Sequence, residues 1–317
     1  MRTTTRGKID NDLYLLGGSQ VPLYLFSIND DYWALVEGGI SMYAAEVLQD
    51  ITSIVRDLGR ISHWFITHKH YDHCGILPYL IPKLPNARVY ASEATVNAWR
   101  KAKTQEVIRS LNDQVGQVND SCIERIDWAD LPVVPIKPGD NLSLGSKYSF
   151  HVVATPGHAD DQVAYYDPRR ERLFVSDALG EFDEIDGVWR PLVFEDYVSY
   201  LATLHNLEFL RVRQLIPGHG GLFSGEMARS AASNAYSECR RLERRLLWRM
   251  CNGFDVDDFA SDLHGEWKGQ SAAFVPETLH LASMRRMLGL MAPSVMSEFE
   301  RYRASKWPRD ADVEADC

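Results

Sequence analysis

The chain has 317 residues, 45% of them hydrophobic, with eight Trp, fourteen Tyr and a formal net charge of -10. That apolar content excludes global disorder. The acidic balance excludes nucleic-acid or anionic-membrane binding through bulk charge, so neither partner is expected.

Up to about residue 225 the chain alternates short apolar runs with helical stretches. Strands are predicted over 13–16, 23–28, 33–37, 63–67, 88–91, 151–154, 163–166, 173–175 and 214–216, bounded by Gly, Pro or Asp. Helices are predicted over 44–58, 75–84, 92–110 and 195–210. Such alternation predicts layered α/β architecture. After 225 the texture becomes helical. Ala232, Ala235, Cys239, Leu242 and Leu246 recur at spacings of three and four, one face of a helix. Helices are also expected over 256–267, 276–290 and 293–303, and a polar tail over 304–317 is expected to fray. The division predicted is therefore a mixed α/β domain over 1–225, a helical extension over 226–303 and the tail.

Cys74, Cys122, Cys239, Cys251 and Cys317 are odd in number and form no CxxC pair, which fits a reducing compartment better than a disulfide framework. The N-terminus carries no apolar leader core, and no run reaches the roughly 18 apolar residues of a membrane span. A soluble, cytoplasmic protein is the expectation.

The chemistry is concentrated at predicted strand ends. The run 63–66 leads into Thr67-His68-Lys69-His70-Tyr71-Asp72-His73-Cys74-Gly75, and a rigid strand is well placed to present such side chains. Three imidazoles and a carboxylate within six residues are too dense for one structural site, and this donor mixture suits zinc, iron or manganese. Three later runs end in the same manner, at Thr155-Pro156-Gly157-His158, Ser176-Asp177-Ala178 and Pro217-Gly218-His219-Gly220-Gly221. Singly, each His reads as a core residue and Asp177 as a helix cap. Together, His68, His70, Asp72, His73, His158, Asp177 and His219 make a ligand set for two cations. Asp177 is the natural bridge, since each carboxylate oxygen can serve one cation. His63, His151, His205 and His264 lack this context and read as structural.

In their order, these motifs resemble those of the metallo-β-lactamase superfamily over about residues 10–221. The resemblance implies a four-layer αββα sandwich. It also implies that His68, His70 and His158 bind one metal, that Asp72, His73 and His219 bind the other, and that Asp177 bridges. The segments 34–41, 66–75, 177–184, 187–194, 244–249 and 279–287 are similar, more narrowly, to the PqsE-like quinolone signal response proteins. That likeness reaches into the helical extension, which it places over the active site. It implies a thioesterase releasing 2-aminobenzoylacetate from 2-aminobenzoylacetyl-CoA in alkylquinolone signal synthesis, with two iron ions; by donor chemistry alone zinc and manganese stay open. Lactonase or phosphodiesterase activity, or an interaction module with a structural metal centre, are the alternatives.

Two cations roughly 3.5–4 Å apart acidify water and polarise a carbonyl. A thiolate, whose parent thiol has a pKa of about 8.5, departs with little acid assistance. Asp72 and Glu181 are the candidate catalytic carboxylates, and Glu181 is a candidate to orient the substrate's 2-amino group. The alternative for Glu181 is a solvated place in an acidic run. His280 and Ser283, at i and i+3 on one helix face, are candidate substrate contacts; a core His and a helix cap are the alternative. Tyr71 is a candidate acyl contact, and Lys69, Arg285 and Arg286 a candidate basic rim for an anionic acyl-CoA. Arg241, Arg244 and Arg245 face away from the apolar stripe. Balanced by Glu238 and Glu243 they read as a solvated face, whereas the resemblance implies a contact surface for a homodimer or a LuxR-type transcriptional regulator.

Overall fold

A computed structural model describes residues 1–116, 125–145, 147–267 and 275–306, with side chains as far as 301. Cys122, Cys317 and, beyond 306, the predicted tail lie outside the described residues. The first sheet runs β2 (Gly7–Lys8), β3 (Leu13–Leu16), β4 (Leu23–Ser27), β5 (Trp33–Val36), β6 (Ile61–Phe65), β7 (Arg88–Ser92) and β8 (Val133–Ile136) from edge to edge. The second runs β1 (Arg2–Thr3), β16 (Leu222–Ser224), β15 (Gln214–Pro217), β12 (Arg172–Ser176), β11 (Val163–Asp167), β10 (Tyr148–Ala154) and β9 (Asn141–Leu144). Strands β5 to β8 pair in parallel, as do β12 and β15; the other pairs in both sheets are antiparallel. A separate hairpin joins β13 (Glu181–Asp183) to β14 (Val188–Arg190).

Period-two alternation builds the layers, because successive side chains in a strand point to opposite faces. In β5, Ala34 and Val36 enter the core between the sheets while Leu35 enters the outer one. Phe65 points inward from β6 and Trp64 outward. From the other sheet Phe150, Tyr165 and Phe174 meet Phe26 and Phe65 in the middle layer, with ring centroids 5.1–6.1 Å apart. The outer face of the first sheet is covered by α1 (Ala44–Val55), the short α2 (Tyr71–Cys74) and α3 (Leu77–Leu80), α4 (Glu93–Trp99) and α5 (Ala102–Val115). Over the second lie α6 (Tyr197–Leu207), α7 (Glu226–Arg229), α8 (Ala231–Cys251), α9 (Val256–Glu266) and α10 (Glu277–Lys306). The order is α, β, β, α.

Leu173 and Val175 of β12 share one apolar cluster with Ala235, Cys239, Leu242 and Leu246 of α8 and with Met287, Leu288 and Met291 of α10. The helical segment is thus seated on the sheet. A break was expected before Pro293, yet α10 runs through it. Proline removes one backbone donor and crowds the carbonyl four residues earlier. That earlier residue is Gly289, open on its side-chain face, and buried Met287, Leu288, Met291 and Val295 hold both halves to the same core. The expected helix over 92–110 is split into α4 and α5, and the expected 75–84 helix into shorter turns. Among the described residues no helix is long and apolar enough to cross a membrane.

Arg172, 1% exposed on β12, ties the N-terminal loop to the second sheet. It donates to Gln214, to the Tyr148 hydroxyl at 3.1 Å, and to Asp10 and Asp12 at 2.8 and 3.1 Å. Burial raises the carboxyl of Asp12, but the Tyr148 hydroxyl and Arg172 outweigh it and hold Asp12 below its ordinary 3.8. A depressed carboxylate stabilises the fold above its unfolded pKa and stops doing so as pH falls through its native value. Arg172→Met is expected to cost about 3 kcal/mol, since Asp10 and Asp12 lose their buried partner. Urea titrations should show the loss at pH 7 shrinking below about pH 4, the ordinary carboxyl range.

Candidate metal centre

The four ligand-bearing segments leave their strands at one end of the sandwich. His68 follows β6, His158 follows β10, Asp177 follows β12 and His219 follows β15. Tight backbone geometry aims them. Ser176 and Glu37, neither of them glycine, adopt φ of 50° and 70°, a sparsely populated region for such residues. Gly218 lies against the cluster; a Cβ there would meet Asp177 Oδ1 at 2.2 Å and His73 Cε1 at 2.5 Å. Only a residue without Cβ allows that approach.

The seven predicted residues come together as two groups and a link. His68, His70 and His158 offer ligand atoms within 4.8 Å of one another, and so do Asp72, His73 and His219, while Asp177 groups with His68 and His73. Asp177 Oδ2 lies 3.2 Å from His73 Nε2 and 3.4 Å from His158 Nε2, one from each group. Its Oδ1 lies 3.6 Å from His219 Nε2. Asp72 Oδ2 is 3.6 Å from both His73 and His219.

The imidazoles are held from behind. His73 Nδ1 donates to Glu37 Oε2 at 3.0 Å, and Thr67 Oγ1 donates to Glu37 Oε1 at 3.1 Å. Thr67 in turn accepts from His68 Nδ1 at 3.1 Å. His158 Nδ1 donates to the Leu192 carbonyl at 2.9 Å, and His219 Nδ1 to that of Gln20. These bonds aim the Nε2 atoms of His68, His73, His158 and His219 inward, while His70 turns its Nδ1 to His158 Nε2 at 2.9 Å. His68 Nε2, His73 Nε2 and Asp177 Oδ1 are buried without a hydrogen-bond partner among the described residues. Buried polar atoms of this kind are costly unless something satisfies them. The donor set, the orphaned atoms and the close approach at Gly218 all fit two divalent cations.

The electrostatics of the cluster divide its imidazoles in two. Burial pushes His70 down to about 4 and His158 to about 3, and burial with the neighbouring imidazoles holds His68 well below its ordinary value. Burial also opposes charge on His73 and His219, yet Asp177 outweighs it, holding His73 well above its ordinary value and His219 at about 9. Asp177 itself is disfavoured by burial but kept ionised by His73, His219 and His158. A cation bound there would take the place of the protons that Asp177 favours on His73 and His219.

The cluster floors a cavity of about 410 Å³. Phe194, Leu192, Leu279 and Met284 supply apolar wall, and Glu181, His280, Ser283 and Tyr71 line it as predicted. Ser283 Oγ donates to the Leu279 carbonyl at 3.0 Å, so the hydroxyl faces a ligand as an acceptor. Burial raises the Tyr71 hydroxyl far above its usual value, aided by Asp72 and Asp177, and it stays protonated. Of the predicted basic rim, Lys69 and Arg286 line the cavity but are engaged, Lys69 by Asp160 and Asp161, Arg286 by the Phe194 carbonyl and Glu195. Arg285, one residue earlier on the helix, faces Asp257 on α9 instead.

Sequence reasoning missed Glu37 and Asp161, each 3% exposed. Asp161 accepts from the Lys69 backbone N–H at 2.8 Å and from Thr95 at 2.6 Å, which pins the loop between His68 and His70. The only signal for Glu37 is its place directly after a buried strand and before Gly38-Gly39.

A family model described as the metallo-beta-lactamase superfamily matches residues 16–219. A hydroxyacylglutathione hydrolase of Legionella pneumophila (strain Corby) is 27% identical over 114 residues, 36% of this chain and 32% of that protein. The acyl-coenzyme A thioesterase MBLAC2 of Gallus gallus is 27% identical over 184 residues, 54% of this chain and 61% of that one. The chain thus spans about a third of the first curated relatives it matches, and under two thirds of the thioesterase. Among solved structures, a metallo-beta-lactamase family protein from Thermus thermophilus superposes with a TM-score of 0.59 at 23% identity, covering 89% of this chain and 95% of that one.

Glu37→Gln should weaken metal retention by about 10–100-fold while leaving the fold intact, as expected when a partner behind a ligating histidine is changed. Gly218→Ala should reduce it further. Competition with a chelator, read by elemental analysis, checks both, and retention equal to wild type in both would refute the assigned geometry.

Proposed function

The chain belongs to the metallo-beta-lactamase superfamily, and from that premise we propose that it is a metal-dependent thioesterase acting on an acyl-CoA, specifically 2-aminobenzoylacetyl-CoA. The observation that carries the reading is the ligand cluster flooring an apolar-walled cavity roofed by α10. A volume of about 410 Å³ suits a small aromatic acyl group and lies within the usual range for ligand sites. A relative named as an acyl-coenzyme A thioesterase supports the substrate class, and the motif likeness to PqsE-like proteins supports the acyl group and a place in alkylquinolone signal synthesis.

His68, His70 and His158 would hold one cation, Asp72, His73 and His219 the other, with Asp177 between them; iron is the proposed metal. When bound, such a pair supplies acidified water and a Lewis acid for the carbonyl. The chain's own residues do the rest. Asp72, at the cavity floor, accepts a hydrogen bond from the attacking water and orients it. Phe194 and Met284 exclude bulk water from the acyl group. Glu181 and the acceptor lone pairs of Ser283 take the hydrogen bonds of the 2-amino group.

Asp72→Asn should lower kcat/KM for aminobenzoylacetyl-CoA by a factor on the order of 10²–10⁴. Free-thiol release is the measurement. Equal release by both proteins, or by neither, would sink the thioesterase reading, and one cation or none per chain in elemental analysis would sink the dinuclear centre.

A second role is favoured by the outer face of α8. Arg241, Arg244, Arg245 and Arg249 line an open groove with Trp248, which is 59% exposed and stacked 6.1 Å from half-exposed Phe254. Arg241 and Arg245 pair with Glu238 and Glu266, while Arg244 makes no ion pair among the described residues. Exposed Trp beside arginines is typical of binding hot spots. We infer a protein contact here, either a second copy or a LuxR-type regulator. Arg241→Glu with Arg244→Glu should leave thioester turnover unchanged and abolish dimerisation or regulator binding, read by light scattering and pull-down. If both association states persist, the surface has no such role.

A further inference from the structure

Two of the segments that border the metal-centre cavity are the loop after β15, which carries His219, and β13, which begins at Glu181. One side chain from the first strand touches both. Arg2 sits on β1, opposite Phe223 of β16, and its side chain is 15% exposed. Its Nε donates to the Gly220 carbonyl at 2.7 Å, and its Nη1 pairs with Glu184, a short step along the chain from Glu181. The guanidinium lies 5.5 Å from the Phe182 ring centroid and 5.3 Å from that of Phe223. Those two rings meet edge to face at 5.0 Å.

The backbone beside His219 is shaped for this contact. Gly220 and Gly221 adopt φ of 87° and 85°, where a Cβ is disfavoured. A Cβ on Gly220 would meet Arg2 Nη2 at 2.7 Å, and one on Gly221 would meet the Thr3 carbonyl at 2.2 Å. The Gly220 N–H donates to the Ser19 carbonyl at 2.8 Å, and His219 Nδ1 donates to that of Gln20. The ligand loop is thus held on its N–H side by residues 19 and 20 and on its carbonyl side by Arg2. A guanidinium suits that task, because its planar fork points several donors in fixed directions and serves a carbonyl and a carboxylate at once. Attraction to the two aromatic faces holds the fork in place.

We propose that Arg2 is a positioning residue for the metal centre, acting on one cation through His219 and on the substrate through Glu181. The proposal rests on the dinuclear thioesterase reading and deepens it. Its two arms are separable. The bond to Gly220 fixes the backbone next to His219 and so bears on the cation shared with Asp72 and His73. The pair with Glu184 fixes the far end of β13 and so bears on Glu181 in the cavity wall. His68, His70 and His158 come from other loops, to which Arg2 makes no hydrogen bond or ion pair among the described residues. The cation assigned to them is therefore outside its reach.

Two variants separate the arms. Arg2→Met keeps an aliphatic stem beside the rings and removes both polar contacts. Challenged with a chelator and read by elemental analysis, it should give up one cation at about 10–100-fold lower chelator concentration than wild type and hold the other as wild type does. Glu184→Ala alters a side chain that is 55% exposed and leaves the Gly220 bond in place. It should hold both cations like wild type, while KM for aminobenzoylacetyl-CoA rises by up to about 5-fold with kcat unchanged. Equal weakening of both cations in Arg2→Met, or of neither, would overturn the proposal, as would metal loss or an unchanged KM in Glu184→Ala. A double-mutant cycle tests the route. In a His219→Ala background, Arg2→Met should weaken retention of the remaining cation no further, and an added loss would show that Arg2 acts elsewhere. Failure of the parent reading is distinct, since the wild-type protein would then hold fewer than two cations or release no thiol.

Discussion

The carboxylate of Asp177 is the point on which the site depends. It is 3% exposed, and its oxygens face imidazoles delivered by three separate strand ends, those following β6, β10 and β15. An isolated buried carboxylate would be strongly disfavoured. Its surroundings make it tolerable only if every one of those strands ends in register. The two-sheet sandwich supplies that register, and the strained backbone at Ser176 and the bare Cα at Gly218 are what let the chain approach so closely.

A second tier of buried acids carries this constraint outward. Glu37 accepts from His73 and Thr67, and Thr67 accepts from His68, so one carboxylate fixes a histidine of each ligand group. Asp161 does the same for the loop that carries them. On the helical segment His264 Nδ1 lies 2.7 Å from His280 Nδ1, and its Nε2 lies 3.2 Å from Glu277. At the ligand cluster the residue behind each of these histidines sets which ring nitrogen faces the cavity, and this matters more to metal binding than the mere presence of the ring.

The seven candidate ligands were legible because their four segments announce themselves locally, each placing a His or Asp just beyond an apolar run, twice across a Pro-Gly turn. The layered architecture was legible because period-two and period-3.6 patterning change over visibly along the chain. Glu37 and Asp161 were not legible, since their function is to accept hydrogen bonds from residues 30 or more positions away in sequence, and a single acid near a strand end carries no mark of that. The short strands β1, β2, β13, β14 and β16 also escaped, because runs of two or three residues hold no period. Pro293 misled for a related reason. Local propensity argued for a break, but the cost of one missing hydrogen bond is small beside the burial of Met287, Leu288, Met291 and Val295 on either side.

The placement of charge around the cavity sharpens the view of the substrate. A basic rim was expected for an anionic acyl-CoA, yet Lys69 and Arg286 are already paired with acids. The pairs with Asp160 and Glu195 lie at the surface, where an ion pair contributes at most about 1 kcal/mol. For the proposed acyl-CoA, a phosphate would displace those carboxylates at modest cost, and the nucleotide end would need no preformed pocket. Under the proposed thioesterase reading, selection would fall on the acyl end, where the apolar walls, the acceptor-only Ser283 and the carboxylate of Glu181 suit an aromatic group bearing a hydrogen-bond donor. Leu279, His280, Ser283, Met284 and Arg286 of α10 all line that cavity, so this one helix shapes what can be admitted to the ligand cluster.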